Sequence, residues 1–172
     1  MKLLMTLHDD QYTSCGVDHV RDVVRAIVVN EEGKIALHKL YATDMFGFRD
    51  YYETPGGGRK EGETLHEALE RELIEELGVK VKIMSEIGEI IDYYNLIKRE
   101  NHNYFYLAKV VGYTEKHLEE KEKSLIEKTI WVDIDAAIDL YNNMQNVLVG
   151  KLVKQRELPI LKLAKEMLNK SH

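Results

Sequence analysis

One cysteine, two prolines and no apolar run of membrane-spanning length distinguish this 172-residue sequence first by what it withholds. Cys15 alone cannot close an internal disulfide or build a multi-cysteine zinc site, and it fits a reducing compartment. No stretch approaches the roughly 20 apolar residues of a membrane span. Positive charge is also short. The 24 Lys and Arg against 30 Asp and Glu leave a net charge of −6, the wrong sign for a protein that holds duplex nucleic acid by neutralising its phosphates. Small phosphorylated ligands stay open, because a metal ion supplies positive charge locally. At the start, "MKLLMTLHDD" is interrupted by His8, Asp9 and Asp10 before it reaches signal-peptide length, so a cytoplasmic location is expected. Neither GxSxG nor a GKS/T phosphate loop occurs, which removes the footing for a serine hydrolase or a P-loop enzyme. The seven histidines show no HxxxH or HExxH spacing and are read as non-ligands, with His38 the one placed to reach a substrate.

What is present is ordinary globular material, 44% hydrophobic and 31% charged, sufficient for one domain over residues 1–172. Residues 1–22 are expected as an N-terminal extension and 150–172 as a C-terminal helix, starting near Pro159. "VVRAIVV" (23–29), the turn-like "NEEG" and "KIALHKL" (34–40) predict a hairpin. The stretch 41–52 lacks a clean period and is expected as a loop ending in a short strand. Strands are expected over 79–91 and 103–113 with a turn at "KREN", then at "TIWVDI", followed by a helix from Asp133. The charged segment 115–128 has no clear state. The pattern is α+β.

One segment stands apart. "ETPGGGRKEGETLHEALERELIEELGV" (53–79) sets three glycines before a helix-like run crowded with glutamate. That helix should begin near Glu63 or Thr64 and end at Gly78. Leu65, Ala68 and Leu69 define its inward face, continued by Leu73 and Leu77. Glu72 and Glu76 project within roughly 20° of Leu65 at ~100° per residue, so these carboxylates face the body of the protein. Glu75 lies on the same edge, whereas Glu67 and Glu70 point to solvent. Inward like charges at this spacing repel, and a hard divalent ion bound through oxygen offsets that cost. A solvated, salt-bridged surface helix is the competing explanation.

Gly57, Glu63, Arg71, Glu72, Leu73, Glu75, Glu76, Gly78 and Val79 occupy the fixed positions of the Nudix box, and the chain resembles that hydrolase family. The resemblance implies an α/β/α sandwich with a mixed sheet between helices. It implies Mg²⁺-dependent, or Mn²⁺-dependent, hydrolysis of a nucleoside diphosphate linked to another moiety. Glu72, Glu75 and Glu76 then correspond to metal-binding carboxylates, the Gly57 carbonyl to a further ligand, and Arg71 to the residue that orients a neighbouring glutamate. Glu63 is expected to be structural or capping. Gly56, Gly57 and Gly58 would admit metal and phosphates without a Cβ in the way.

For the general base the candidates are Glu119, Glu120, Glu122 and Glu127. Glu122 is favoured because similar sequences carry an acidic residue at about its distance before Trp131, against a solvated Lys/Glu segment; if that loop supplies no base, Glu72 or a metal-bound hydroxide is the alternative. Arg25 and Tyr52 are candidate substrate contacts, through a phosphate and a base respectively, against structural roles at a sheet edge and in packing. The expected partner is a small-molecule nucleotide, with a slight lean to nucleoside triphosphates, and with neither duplex nucleic acid nor membrane; a homodimer stays open. A non-catalytic Nudix-fold nucleotide sensor or interaction module is the second hypothesis. A pure binder has no need of Glu72, Glu75 and Glu76 together, which favours the enzyme.

Overall fold

The structure is a computed structural model that describes residues 1–171; His172, the end of the expected C-terminal helix, lies outside the described residues. Strands β1 (Leu3–Leu7), β2 (His19–Val29), β3 (Ile35–Asp44), β4 (Gly47–Glu53) and β5 (Gly56–Gly58) precede helix α1 (Leu65–Leu77). After it come β6 (Val79–Tyr94), β7 (Arg99–Tyr113), α2 (Glu120–Leu125), β8 (Ile126–Val132), α3 (Ile134–Asn143) and α4 (Leu148–Lys170). The sheet runs β1-β6-β7-β2-β3-β4, with β5 added to β2 and β8 to β3. Pairs β1/β6 and β2/β7 are parallel and the rest antiparallel. This is the expected mixed sheet.

Strand alternation assigns the two faces. Val24, Ala26 and Val28 of β2, with Tyr106 and Ala108 of β7, pack against Leu69 and Leu73 of α1. The intervening Ile27, Phe105 and Leu107 pack on the other face under Tyr141 of α3 and Ile160 and Leu161 of α4. Helices therefore cover both sides of the sheet, as in an α/β/α sandwich, and burial of these side chains at about 1.5–3 kcal/mol each holds the layers together.

Four expectations change. The first two strands do not form an extended hairpin: the NEEG turn forms, with Gly33 at φ 75°, but β2 and β3 pair only at Val29 and Ile35. Below that point β2 takes β5 and β7 as neighbours and β3 takes β4 and β8. Residues 41–52 are not a loop, because β3 runs on to Asp44 and turns through Gly47 (φ 88°) into β4. Part of the N-terminal extension is a strand, β1, lying parallel to β6. The last helix starts eleven residues before Pro159 and passes through it. Proline removes the bond to the carbonyl four residues back, which belongs to Gln155, an exposed residue. The segment 115–128 contains α2, and the turn before β7 is a single 3₁₀ turn, Asn95–Ile97, slightly ahead of KREN.

Among the described residues no helix is long and apolar enough to cross a membrane.

Candidate active site

Local chemistry at both ends fixes α1. The Thr64 hydroxyl accepts the Glu67 N–H at 3.1 Å, and the Glu67 carboxylate accepts the Thr64 N–H at 2.9 Å, a reciprocal cap. Gly78 ends the helix at φ 65°, φ/ψ space in which a Cβ is strained. Between these caps the apolar stripe of Ala68, Leu69 and Leu73 sits on the sheet and turns Glu72 and Glu76 inward, where they retain 6% and 5% of their exposure. Glu67 and Glu70 are exposed, as the helical period requires.

The glycine strand lies against these carboxylates. The Gly56 N–H donates to Glu76 Oε2 at 2.9 Å, and His38 of β3 brings Nε2 to the same oxygen at 3.0 Å, with its Nδ1 2.8 Å from Thr129. A Cβ on Gly57 would overlap the Glu72 carboxylate, and one on Gly56 would overlap the backbone of β2. Only glycine lets the chain run this close. Arg71 clamps helix to loop: it pairs with Glu63, donates to Glu72 Oε1 at 2.9 Å and Glu75 Oε2 at 3.1 Å, and reaches the Gly58 carbonyl at 3.0 Å. Glu63 also accepts the Lys60 N–H at 2.8 Å, and Arg71 with this bond pulls its carboxyl down to about 2. Glu63 is thus a brace of the loop.

Across the cleft, α2 presents Glu122, which accepts the Glu119 N–H at 2.8 Å as part of a capping pair. Glu72, Glu76 and Glu122 each offer a carboxylate oxygen, and these atoms all lie within 4.8 Å of one another. Of the expected Glu72, Glu75 and Glu76, Glu75 is outside this trio; it lies 3.1 Å from Arg71, which also holds Glu72. Glu119 lines the cleft, while Glu120 is exposed beside Lys123 and Glu127 is exposed on β8. The cleft has a volume of about 210 Å³ and is walled by Gly56, Gly57 and Gly58.

The crowded carboxylates disturb one another. Burial, then Glu76, with a smaller push from Glu75, drive the Glu72 carboxyl up to about 7 against the pull of Arg71. Burial and the charges of Glu76, Glu119 and Glu75 move Glu122 in the same direction against its bond from Glu119. Between pH 4.5 and about 7 the folded chain keeps a proton on Glu72 that the unfolded chain releases, so stability falls as pH rises through that window. The loss is about 3 kcal/mol from Glu72. Thermal melts without divalent ions are therefore expected to drop from pH 5 to pH 8, and millimolar Mg²⁺ should restore the loss at pH 8 and do little at pH 5. A metal-free melt that is flat across this range would contradict the arrangement.

Of two expected substrate contacts, one falls elsewhere and the other is committed to the fold. Tyr52 does not line the cleft; it packs toward the α3/α4 core with Lys39 over its ring. Arg25 does border the cleft, but it lies within the sheet, not at its edge, and its guanidinium is taken: it donates to the Thr54 carbonyl at 2.7 Å and pairs with Glu53 at 2.8 Å. The sequence reading missed the network behind it. Arg156 of α4, 1% exposed, pairs with Asp92, Glu53 and Glu157, and Glu157 accepts the Thr54 N–H at 2.7 Å and the Tyr141 hydroxyl at 2.7 Å. The chain entering the glycine strand is thereby tied to the last helix. A signal existed, because Arg156 and Glu157 fall on the i, i+3, i+4 stripe of Val149, Leu152, Val153, Ile160 and Leu161.

Comparison with known proteins agrees with the geometry. An RNA pyrophosphohydrolase of Wolbachia sp. subsp. Brugia malayi (strain TRS) is 36% identical over 80 residues, 46% of this chain and 46% of that protein, so the match spans about half of the relative's length. A NUDIX hydrolase from Nitrosomonas europaea superimposes with TM-score 0.59 at 19% identity, covering 78% of this chain and 84% of the other. The E. coli ORF135 protein does so with TM-score 0.59 at 21% identity, covering 89% and 93%. Identities this low establish the fold. The sequence profile of the NUDIX domain matches residues 19–149, from the start of β2 into α4, and the chain belongs to the NUDIX domain family.

Proposed function

We propose that the protein is a divalent-metal-dependent pyrophosphohydrolase that cleaves a nucleoside diphosphate linked to another moiety, foremost a nucleoside triphosphate or related nucleotide, and releases nucleoside monophosphate. The observation that carries this reading is the convergence of Glu72, Glu76 and Glu122 on one point beside a glycine strand. The donor set fits a hard cation: the ligating atoms are carboxylate oxygens, two of the three residues are buried, and Arg71 is ion-paired with Glu72 but with neither Glu76 nor Glu122. Mg²⁺, or Mn²⁺ in its place, would be held by Glu72 and Glu76 with the Gly57 carbonyl beside them. When bound, it supplies polarisation of a phosphoryl oxygen and a more acidic water.

The chain's own residues do the rest. The glycines leave room for a diphosphate against the backbone, and the Gly56 N–H and His38 fix the Glu76 carboxylate in place. Arg71 orients Glu72 and Glu75. Glu122 faces the cluster from α2 and is assigned as the group that takes the proton of the attacking water; its raised proton affinity suits a base working near neutral pH. Catalysis is then chiefly positioning and charge stabilisation. The relatives named RNA pyrophosphohydrolases support cleavage of a pyrophosphate linkage and place RNA on the substrate panel. Product identity tests the proposal: with Mg²⁺ a nucleoside triphosphate should yield nucleoside monophosphate and pyrophosphate, and a chelator should stop the release.

A further inference from the structure

Adjoining the cleft, and sharing Arg21, Arg25 and Gly57 with it, lies a second recess of about 50 Å³. It follows from strand register. In the parallel pair β2/β7, His19 aligns with Arg99, Arg21 with Asn101 and Val23 with Asn103, so Arg21, Arg99, Asn101 and Asn103 share one face of the sheet. Farther along that face Ile27, Phe105 and Leu107 are covered by α3 and α4. The apolar positions build core, and the polar positions build a pocket.

Its charges are unbalanced. Arg25 and Arg156, at the inner wall, are matched by Glu53, Asp92 and Glu157. Arg21, an exposed residue, and half-buried Arg99 form no ion pair with a carboxylate among the described residues; desolvation and a neighbouring arginine, Arg25 on Arg21 and Arg21 on Arg99, lower their proton affinity, and Glu72 and Glu53 on Arg21 and Asp92 on Arg99 oppose this in smaller part. Arg99 is steadied by the Tyr94 ring, 5.2 Å from its guanidinium. Gly58 makes room for Arg21, since a Cβ there would overlap the guanidinium. Four buried polar atoms of its lining, Arg25 Nε, Arg99 Nε, Arg156 Nε and Asn101 Oδ1, lack any hydrogen-bond partner, and Arg156 and Asn101 are 1% and 2% exposed. Buried polar groups are nearly always satisfied, so two guanidinium groups without an ion pair beside these four atoms mark a place where an oxygen-rich anion completes the bonding.

We propose that this recess binds a phosphoryl group outside the anhydride being cleaved, so that the enzyme favours nucleotides with three or more consecutive phosphates over a nucleoside diphosphate joined to an uncharged group. The proposal rests on the pyrophosphohydrolase reading for its catalytic consequence, though not for binding itself. Gly57 borders both cavities, so a phosphate in the recess is the neighbour of phosphates held at the carboxylates. Negative and positive poles then grip a polyphosphate beside one shared glycine.

Two measurements decide the matter. In chelator, where the glutamates repel anions, inorganic phosphate should raise the melting temperature of the wild type in a concentration-dependent way. The Arg21→Ala/Arg99→Ala variant should lose that response and Arg21→Lys/Arg99→Lys should keep part of it. With Mg²⁺, Arg99→Ala, which alters the recess and not the cleft that Arg21 also lines, should raise KM for a nucleoside triphosphate roughly tenfold, as expected for lost charge-assisted bonds. Its kcat should stay within about twofold and its KM for a nucleoside diphosphate sugar should be unchanged. Equal losses on both substrates, or phosphate protection that survives the double alanine variant, would overturn the recess. If the wild type hydrolyses neither substrate, the pyrophosphohydrolase reading fails while the melts still decide whether the recess binds phosphate.

Discussion

Replacing Glu76 with glutamine is expected to cut turnover by roughly 10²-fold to 10³-fold, the usual cost of losing a directed charge in a preorganised site, while the protein folds as before. Glutamine retains an oxygen to accept the Gly56 N–H and loses the charge that raises the Glu72 carboxyl most. Because that charge is one of the two main causes of the raised Glu72 carboxyl, the metal-free variant should melt no lower than wild type, and its response to Mg²⁺ should shrink. Loss of activity without loss of stability is the signature of a site whose repulsion serves a ligand. Glu67→Gln is the control. Glu67 is exposed and its capping role is met equally by glutamine, so activity and melting should be nearly unchanged. Equal activity in the two variants would remove Glu76 from the site.

A second large effect is expected from Arg156→Met, this time on stability. Asp92 and Glu157 are fully buried and Glu53 is 17% exposed, and Arg156 donates to all three at 2.8 to 3.0 Å. A methionine of similar reach leaves these carboxylates facing only Arg25 and neutral donors. Breaking one partner out of a buried ion network costs about 3–5 kcal/mol, which for a chain of this length lowers the melting temperature by roughly 10 °C. Pairing Arg156→Met with Asp92→Asn should recover part of the loss, because it removes one of the stranded charges. A fall below about 1 kcal/mol would show that the network is solvated in solution. The same change should also weaken turnover, since Glu157 anchors Thr54, two residues before the glycine whose N–H holds Glu76.

The α1 segment was legible in the sequence because its determinants are local. Caps, the 3.6-residue stripe and the glycine turn lie within 53–79, and the inward aim of Glu72 and Glu76 follows from periodicity. Strand partners are another matter. β2 and β3 sit beside each other in sequence with a proper turn between them, yet the backbone of β2 is claimed by β5 and by β7, whose paired residues lie 80 positions downstream, and no local pattern announces that competition. The β3/β4 hairpin was hidden because Tyr41, Met45 and Phe48 are exposed apolar residues at a sheet margin, which blurs the alternation that identifies a strand. Arg25 drew attention as the cation in the first strand, whereas its burial commits it to Glu53. Arg21, on the same face four residues earlier, is the one left without a partner. Pro159 looked like a helix start, and only the stripe running through Arg156 and Glu157 shows that the helix begins before it. Tyr52 resembled a base-stacking residue by sequence distance to the glycines, but strand alternation sends its ring to the opposite side from the cleft residue Glu53.

The central claim is that the cleft directs water to a phosphorus inside an anhydride, and hydrolysis of a nucleoside triphosphate in ¹⁸O-labelled water with Mg²⁺ tests it most directly. An ion held by Glu72 and Glu76, as proposed, with the chain's glycines open to the phosphates, would stabilise charge within an anhydride and not on a terminal monoester. The account predicts nucleoside monophosphate and pyrophosphate as products, the label in one of the two according to which phosphorus is attacked, and no release once the ion is chelated. Nucleoside diphosphate with labelled orthophosphate, or equal cleavage of simple phosphate monoesters, would contradict it.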